Sequence, residues 1–301
     1  MDVEIIAEGL RFPEGPVVMP DGSVILVEIA RGTLTRCWKG KTEIVATLGG
    51  GPNGAALGPD GAMYVCNNGG FIYHDFGSLL VPGNTPDDYT TGRIERVDLN
   101  TGKVERVYEI FEGERLSGPN DIVFEKSGAF WFTDLGKNHD RTMERGGLYY
   151  AKPDGSLLKQ VYYGAKLNGV GLSPDETVCY AAETDMARLW AYDIVGAGEV
   201  SPPAPGAAGR FVAGQSEFCF FDSLAVQANG SVCVATIVKG GVTTISPEGR
   251  SSHVALPDPI VTNIAFGGAD MRDAYVTLSA TGKLVKLRWP EPGKTLNFNP
   301  Y

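Results

Sequence analysis

The amino-acid sequence predicts an all-β chain, a six-bladed β-propeller built from four-stranded antiparallel blades. Three observations lead there. One pattern recurs six times, 40 glycines and 19 prolines are spread along 301 residues instead of clustering, and helical periodicity is nearly absent. Scattered Gly and Pro of this kind punctuate many short strands. All-β folds run to this length as one unit, so residues 1–301 are expected to form a single domain.

Each copy of the pattern begins with a polar anchor, runs through a few apolar residues to a turn such as PDG, and ends in an alternating stretch. The copies are EGPVVMPDGSVILVEI from Glu14, NGAALGPDGAMYVCNN from Asn53, NDIVFEKSGAFWFTDL from Asn120 and NGVGLSPDETVCYAAE from Asn168. DSLAVQANGSVCVATI follows from Asp222, and the more degenerate NIAFGGADMRDAYVTL from Asn263. The anchors are 39, 67, 48, 54 and 41 residues apart, which suits blades of about 40–50 residues. Each copy reads as a hairpin, with the apolar run as the inner strand. Two further strands follow, as in residues 92–109, where GRIERVDLNTGKVERVYE alternates around an NTG turn. The sixth copy leaves room for only three strands. The missing outer strand is expected from residues 2–8, DVEIIAE, because an unclosed ring would expose two unpaired edges.

Composition excludes several classes. A net charge of −10 without a basic cluster speaks against nucleic acid. No apolar run reaches the roughly 18 residues of a membrane helix. MDVEIIAEGL carries three acids where a secretory signal has a basic region and a long apolar one. Cys37, Cys66, Cys179, Cys219 and Cys233 are odd in number, lack C-x-x-C spacing and sit in apolar alternation, so they read as buried thiols. The expected compartment is the cytoplasm. There is no G-x-S-x-G elbow and no P-loop lysine, so serine-hydrolase and nucleotide-binding readings find no support. His253, in SSHVAL, belongs to an outer strand.

Inner strands of a propeller run the same way, so Glu14, Asn53, Asn120, Asn168, Asp222 and Asn263 converge at one mouth of the central channel. Singly, an Asn or Asp there fits the ordinary role of capping a turn. Six in register, one of them a Glu, do not. Oxygen donors gathered in a narrow channel lose solvation unless something fills it. Oxygen-only donors with two carboxylates favour a hard divalent cation, with Ca²⁺, Mg²⁺ and Mn²⁺ ahead of Zn²⁺.

The segments RFPEGP (11–16), GPNDIVF (118–124), LNGVGLSPD (167–175) and FDSLAV (221–226) resemble the SMP-30/gluconolactonase/luciferin-regenerating-enzyme family. They are also similar to the diisopropyl-fluorophosphatase propellers. The resemblance spans essentially the whole chain. It implies one divalent metal ion, Ca²⁺ first and Zn²⁺, Mn²⁺, Mg²⁺ or Fe²⁺ as alternatives, on Glu14, Asn120, Asn168 and Asp222. It also implies Asp222 as general base, and Asn120 as either a direct ligand or a holder of metal-bound water and substrate. Vertebrate gluconolactonase members carry a sugar-binding Arg two residues before that Asn; here the position is Gly118.

Two long connections are expected to face the same mouth, residues 69–92 and 135–146. They would wall the pocket with His74, Tyr89, Asn138, His139 or Arg141. Asn53 and Phe12 are expected beside the substrate, with Phe218 and Phe220 packed between blades. The activity implied is a metal-dependent opening of a sugar-acid or related lactone, with the lactone the only partner expected. The alternatives are a phosphotriester or organofluorophosphate hydrolase, or a non-catalytic metal-binding scaffold.

Overall fold

A computed structural model describes residues 2–299. Six four-stranded antiparallel blades surround a channel, and among the described residues there is no helix. The first two strands of each blade are the repeated hairpin. Blade 1 comprises Pro13–Val18, Val24–Glu28, Thr33–Trp38 and Lys41–Thr47; blade 2 comprises Pro52–Leu57, Met63–Asn67, Arg93–Val97 and Val104–Tyr108. Blade 3 is Pro119–Phe124, Phe130–Asp134, Gly146–Ala151 and Leu158–Ala165, and blade 4 is Leu167–Leu172, Val178–Glu183, Arg188–Gly196 and Arg210–Gly214. Blade 5 is Phe220–Val226, Val232–Ile237, Gly241–Ile245 and Ser251–Ala255. Blade 6 takes Val261–Gly267, Asp273–Leu278 and Lys283–Arg288 from the end of the chain and Glu4–Glu8 from its start. That last pairing, Glu4 opposite Lys286 and Glu8 opposite Lys283, closes the ring as the sequence requires.

Local chemistry explains the hairpins. In the PDG turns of blades 1 and 2 the glycine has positive φ, +79° at Gly22 and +74° at Gly61, which a side chain would resist. Asp21 and Asp60 accept from the amides of Ser23 and Ala62 and lock the turn. Inner strands are almost wholly buried, whereas outer ones such as Lys41–Thr47 face water. Six apolar clusters hold the molecule, one at each blade interface. Trp131 and Tyr150 of blade 3, for example, meet Cys179 and Trp190 of blade 4. All five cysteines are buried and unpaired, and His253 lies in an outer strand against Thr243 Oγ1 at 3.0 Å.

Inner strands crowd the axis. A methyl group on Gly54 would lie 2.5 Å from the Asn120 carbonyl oxygen, and one on Gly169 2.6 Å from the Leu224 nitrogen. That close approach brings the six anchors together. At the far end of the channel the segment after Trp289 crosses from blade to blade. Lys294 N donates to Val226 O at 2.8 Å, Asn297 Nδ2 to Phe124 O at 3.0 Å, and Phe298 meets Phe124 edge to face. Lys294 and Leu296 thereby cap a residual channel cavity of about 90 Å³. Met1, Pro300 and Tyr301 lie outside the described residues. No helix among the described residues is long and apolar enough to cross a membrane.

Candidate functional site

All six anchors are at most 9% exposed, and each lies in the inner strand of its blade. The inner hairpin of every blade shifts register around its anchor. The shifts fall between Glu14 and Val17, Pro52 and Ala55, Pro119 and Ile122, Leu167 and Val170, Phe221 and Leu224, and Val261 and Asn263. A bulge at the start of a strand re-aims the side chain there. Repeated six times, it gathers anchor side chains around the axis.

Above this ring lies a pocket of about 390 Å³, within the size range of small-molecule sites. Glu14, Asn53, Asn120, Asn168 and Asp222 all line it. Asn263 stands one step back and holds Glu14, its Nδ2 donating to Glu14 Oε2 at 2.7 Å. The Gly15 amide donates to the same oxygen. Among the described residues, Glu14 Oε1 and Asn120 Oδ1 are buried without a hydrogen-bond partner. Asn168 Oδ1 accepts from Ser223 Oγ at 3.4 Å.

The electrostatics are those of crowded acids. Burial first, then the charges of Asp222 and Asp121, push the Glu14 carboxyl well above the usual carboxylate range. Burial likewise raises Asp222, offset in part by the Asn168 amide beside it. Asp121, which accepts from the amides of Ile122 at 2.9 Å and Val170 at 3.3 Å, is pushed up to about 7 by burial. Among the described residues no three His, Cys, Asp or Glu side chains form a metal cluster. The donor set here is instead two carboxylates with amide oxygens, two of whose atoms are unpartnered. A hard divalent cation suits such donors, and its charge would offset the burial and the repulsion that raise both acids.

The long connections do reach the mouth, but not through all the expected side chains. Asn138 and Phe12 line the pocket. His74 does not: in the hairpin Tyr73–Asp75/Leu80–Pro82 strand alternation turns Tyr73 inward onto Phe12, ring centroids 5.4 Å apart, and His74 outward. Tyr89 points away and donates to Ser117 O at 2.7 Å. His139 lies against Glu144 at 3.4 Å, and Arg141 is exposed; neither borders the pocket. Phe218 and Phe220 do not pack between blades. Cys219 and Phe221 alternate into the core, leaving Phe218 78% exposed and Phe220 on the pocket wall.

Several lining residues escaped the sequence reading. Ile29, Leu135 and Ile237 each stand 15 residues after their anchor, and Thr184 stands 16 after Asn168. The signal was the repeat itself, in which the residue at or just past the end of the inner hairpin lines the pocket above the anchors in blades 1, 3, 4 and 5. Lys166 sits two residues before Asn168, the place held in blade 3 by Gly118. A side chain at 118 would strike the Gly136 carbonyl oxygen, 2.6 Å from the position of its Cβ, so the loop backbone itself excludes an arginine there.

The fold and the pocket together define a propeller with an axial small-molecule site floored by oxygen donors. The chain belongs to the SMP-30/gluconolactonase/LRE-like family, which it matches over residues 12–280. It is similar to the gluconolactonase of Zymomonas mobilis, 28% identical over 216 residues, 64% of this chain but only 55% of that relative. It is also similar to the lactonase drp35 of Staphylococcus saprophyticus, 26% identical over 82% of this chain and 70% of the relative. Among solved structures it resembles the calcium-binding protein regucalcin of Agrobacterium tumefaciens. The TM-score there is 0.75 at 17% identity, covering 97% of this chain and 95% of that one, a likeness of fold.

Proposed function

We propose that the chain is a metal-dependent lactonase, holding one divalent cation, Ca²⁺ first, on Glu14, Asn120, Asn168 and Asp222. The observation that carries this is the pair of buried oxygens without partners, Glu14 Oε1 and Asn120 Oδ1, on the floor of the axial pocket. Leaving such atoms unpaired is costly, so the floor is built for a ligand. The names of the relatives, a gluconolactonase and a lactonase, support lactone opening. The buried thiols fit a reducing cytoplasm.

A bound divalent cation would supply Lewis acidity toward a carbonyl oxygen, acidify water and return the crowded carboxylates to their ionised form. The chain's own residues do the rest. The pocket walls hold the lactone with its carbonyl over the donor ring and exclude bulk water. Asp222 accepts a proton from the water that attacks the carbonyl carbon. The acyl C–O bond of the ring then breaks, the ring oxygen takes up a proton, and an open hydroxy acid leaves. Asn120 and Asn53 offer amide groups to the substrate on the same floor.

The test is Asp222→Asn, assayed on a lactone panel after chelation and reloading with single divalent metals. Turnover should fall roughly 10²–10⁴-fold, the usual worth of a positioned base, with the thermal midpoint near that of the parent. Full activity in the variant would remove Asp222 from the mechanism. Turnover of a phosphotriester but of no lactone would replace the reaction class.

A further inference from the structure

The pocket wall has two unlike sides. Phe220 and Ile237 come from blade 5, Ile260 from the approach to blade 6, Phe12 and Ile29 from blade 1, and Phe71 and Val81 from the long loop of blade 2. Those four blades are neighbours around the ring, so their side chains make one continuous apolar arc. Apart from Thr262 of blade 6, whose hydroxyl is already engaged by the Pro13 carbonyl oxygen at 3.3 Å, the polar side chains above the floor stand on the opposite side, from blades 3 and 4: Asn138, Lys166, Thr184 and Asp185, with Leu135 the apolar residue among them. The one cation among them is already answered, Lys166 Nζ lying 3.3 Å from Asp185 Oδ1 and 3.2 Å from Asn138 Oδ1. The Thr184 hydroxyl is buried and has no partner among the described residues.

We propose that the substrate is a neutral lactone bearing a hydrocarbon substituent, its ring over the oxygen floor and its chain along the apolar arc. This rests on the lactonase reading above. A polyhydroxylated lactone fits poorly, because each hydroxyl pressed on the arc loses water and gains no acceptor. With Lys166 paired to Asp185, the wall offers no free charge for an anionic substituent. Thr184 supplies one hydrogen bond on the polar side, enough to orient a ring oxygen. The arc also continues outward. Phe218, 78% exposed, stacks edge to face on Phe220 at 5.2 Å, and Val238, 48% exposed, follows Ile237 directly. Exposed apolar side chains at a pocket rim mark a route for an apolar ligand.

The experiment compares lactones sharing a six-membered ring: δ-valerolactone, its 5-propyl and 5-pentyl derivatives, and glucono-δ-lactone, all with the metal-loaded protein. kcat/KM should climb roughly fourfold for each methylene buried, and both alkyl compounds should exceed glucono-δ-lactone. A second readout needs no turnover: calorimetric binding of the corresponding alkyl and unsubstituted δ-lactams to the parent, Phe220→Ser and Ile237→Ser. The substitutions should weaken alkyl-lactam binding at least fivefold and leave the unsubstituted lactam unchanged. Preference for glucono-δ-lactone, or equal losses for both lactams, overturns the inference while lactonase activity stands. Failure to open any of the four lactones removes the lactonase reading, and this inference with it.

Discussion

Glu14 divides its oxygens between two tasks. Oε2 is fixed by Asn263 Nδ2 and the Gly15 amide, while Oε1 has no partner among the described residues and remains available to a ligand. Burial first, and then the neighbouring charges of Asp222 and Asp121, hold its carboxyl toward the protonated form, and burial does the same to Asp222. The sign follows by linkage. Both pKa values lie above their unfolded values near 4, so between those limits the folded chain keeps protons that the unfolded chain has lost. Stability from these two groups, without a cation, is therefore greatest at low pH and is lost as pH rises through the folded values. A cation must displace the same protons, so its affinity should rise with pH, about tenfold per unit for each proton released. Calorimetric titration with Ca²⁺ in buffers of different ionisation heat should record that release, reduced in Glu14→Gln. Affinity independent of pH, with no proton released, would show that the cation does not sit on these carboxylates.

Loops and strands differ in how far sequence alone reveals them. The anchors were legible because a repeat fixes their register, and register fixes where a strand residue points. The same logic missed the pocket-lining Ile29, Leu135 and Ile237, because an apolar residue at or just past the end of a strand looks like ordinary core. In the loops nothing periodic constrains direction, so choosing His74, Tyr89 and His139 by side-chain chemistry failed. Lys137 shows why. Its type reads as solvated surface, yet it is 1% exposed. Its Nζ donates to Asn68 O at 2.9 Å and Gly70 O at 2.6 Å, and lies over the rings of Phe71 and Tyr89 at 4.5 and 4.9 Å. Those partners are nearly 70 residues away for the two carbonyls, so no local pattern encodes them. Burial lowers this lysine to about 8, which leaves the ammonium charged at neutral pH. Lys137 thus staples the 135–146 loop to the 69–92 loop, beside the Thr85 hydroxyl bonded to Asn138 O at 2.7 Å. Lys137→Met keeps the bulk but orphans two buried carbonyls, at a cost of about 2–4 kcal/mol. Amide exchange should speed up across residues 69–92, and KM should rise with metal content unchanged. Unaltered exchange in that loop would show that the staple is not what fixes the pocket wall.

At the scale of the whole molecule, the two ends of the described chain close the propeller in different ways. Glu4–Glu8 completes blade 6 laterally along Lys283–Arg288, with Ala7 buried in the cluster between blades 6 and 1. The segment after Trp289 instead lies across the far end of the channel, anchored by Asn297, whose Nδ2 also donates to Glu176 Oε1 at 2.6 Å. The first closure is a link in a ring whose stability comes from six blade interfaces; the second covers a channel already built. Deleting residues 2–8 leaves the edge of Lys283–Arg288 unpaired and uncovers one side of an interface. That should cost about 4–5 kcal/mol or more in lost ladder bonds and apolar burial, lowering the thermal midpoint by roughly 10 °C. The bare edge should also pair between molecules, visible as concentration-dependent light scattering. Truncation after Trp289 removes Phe298 and Leu296 from their contacts but opens no strand edge. Its cost should be about half as large, without association. Equal midpoint losses from the two deletions, or scattering from the tail truncation alone, would show that stability depends on capping the channel more than on closing the ring.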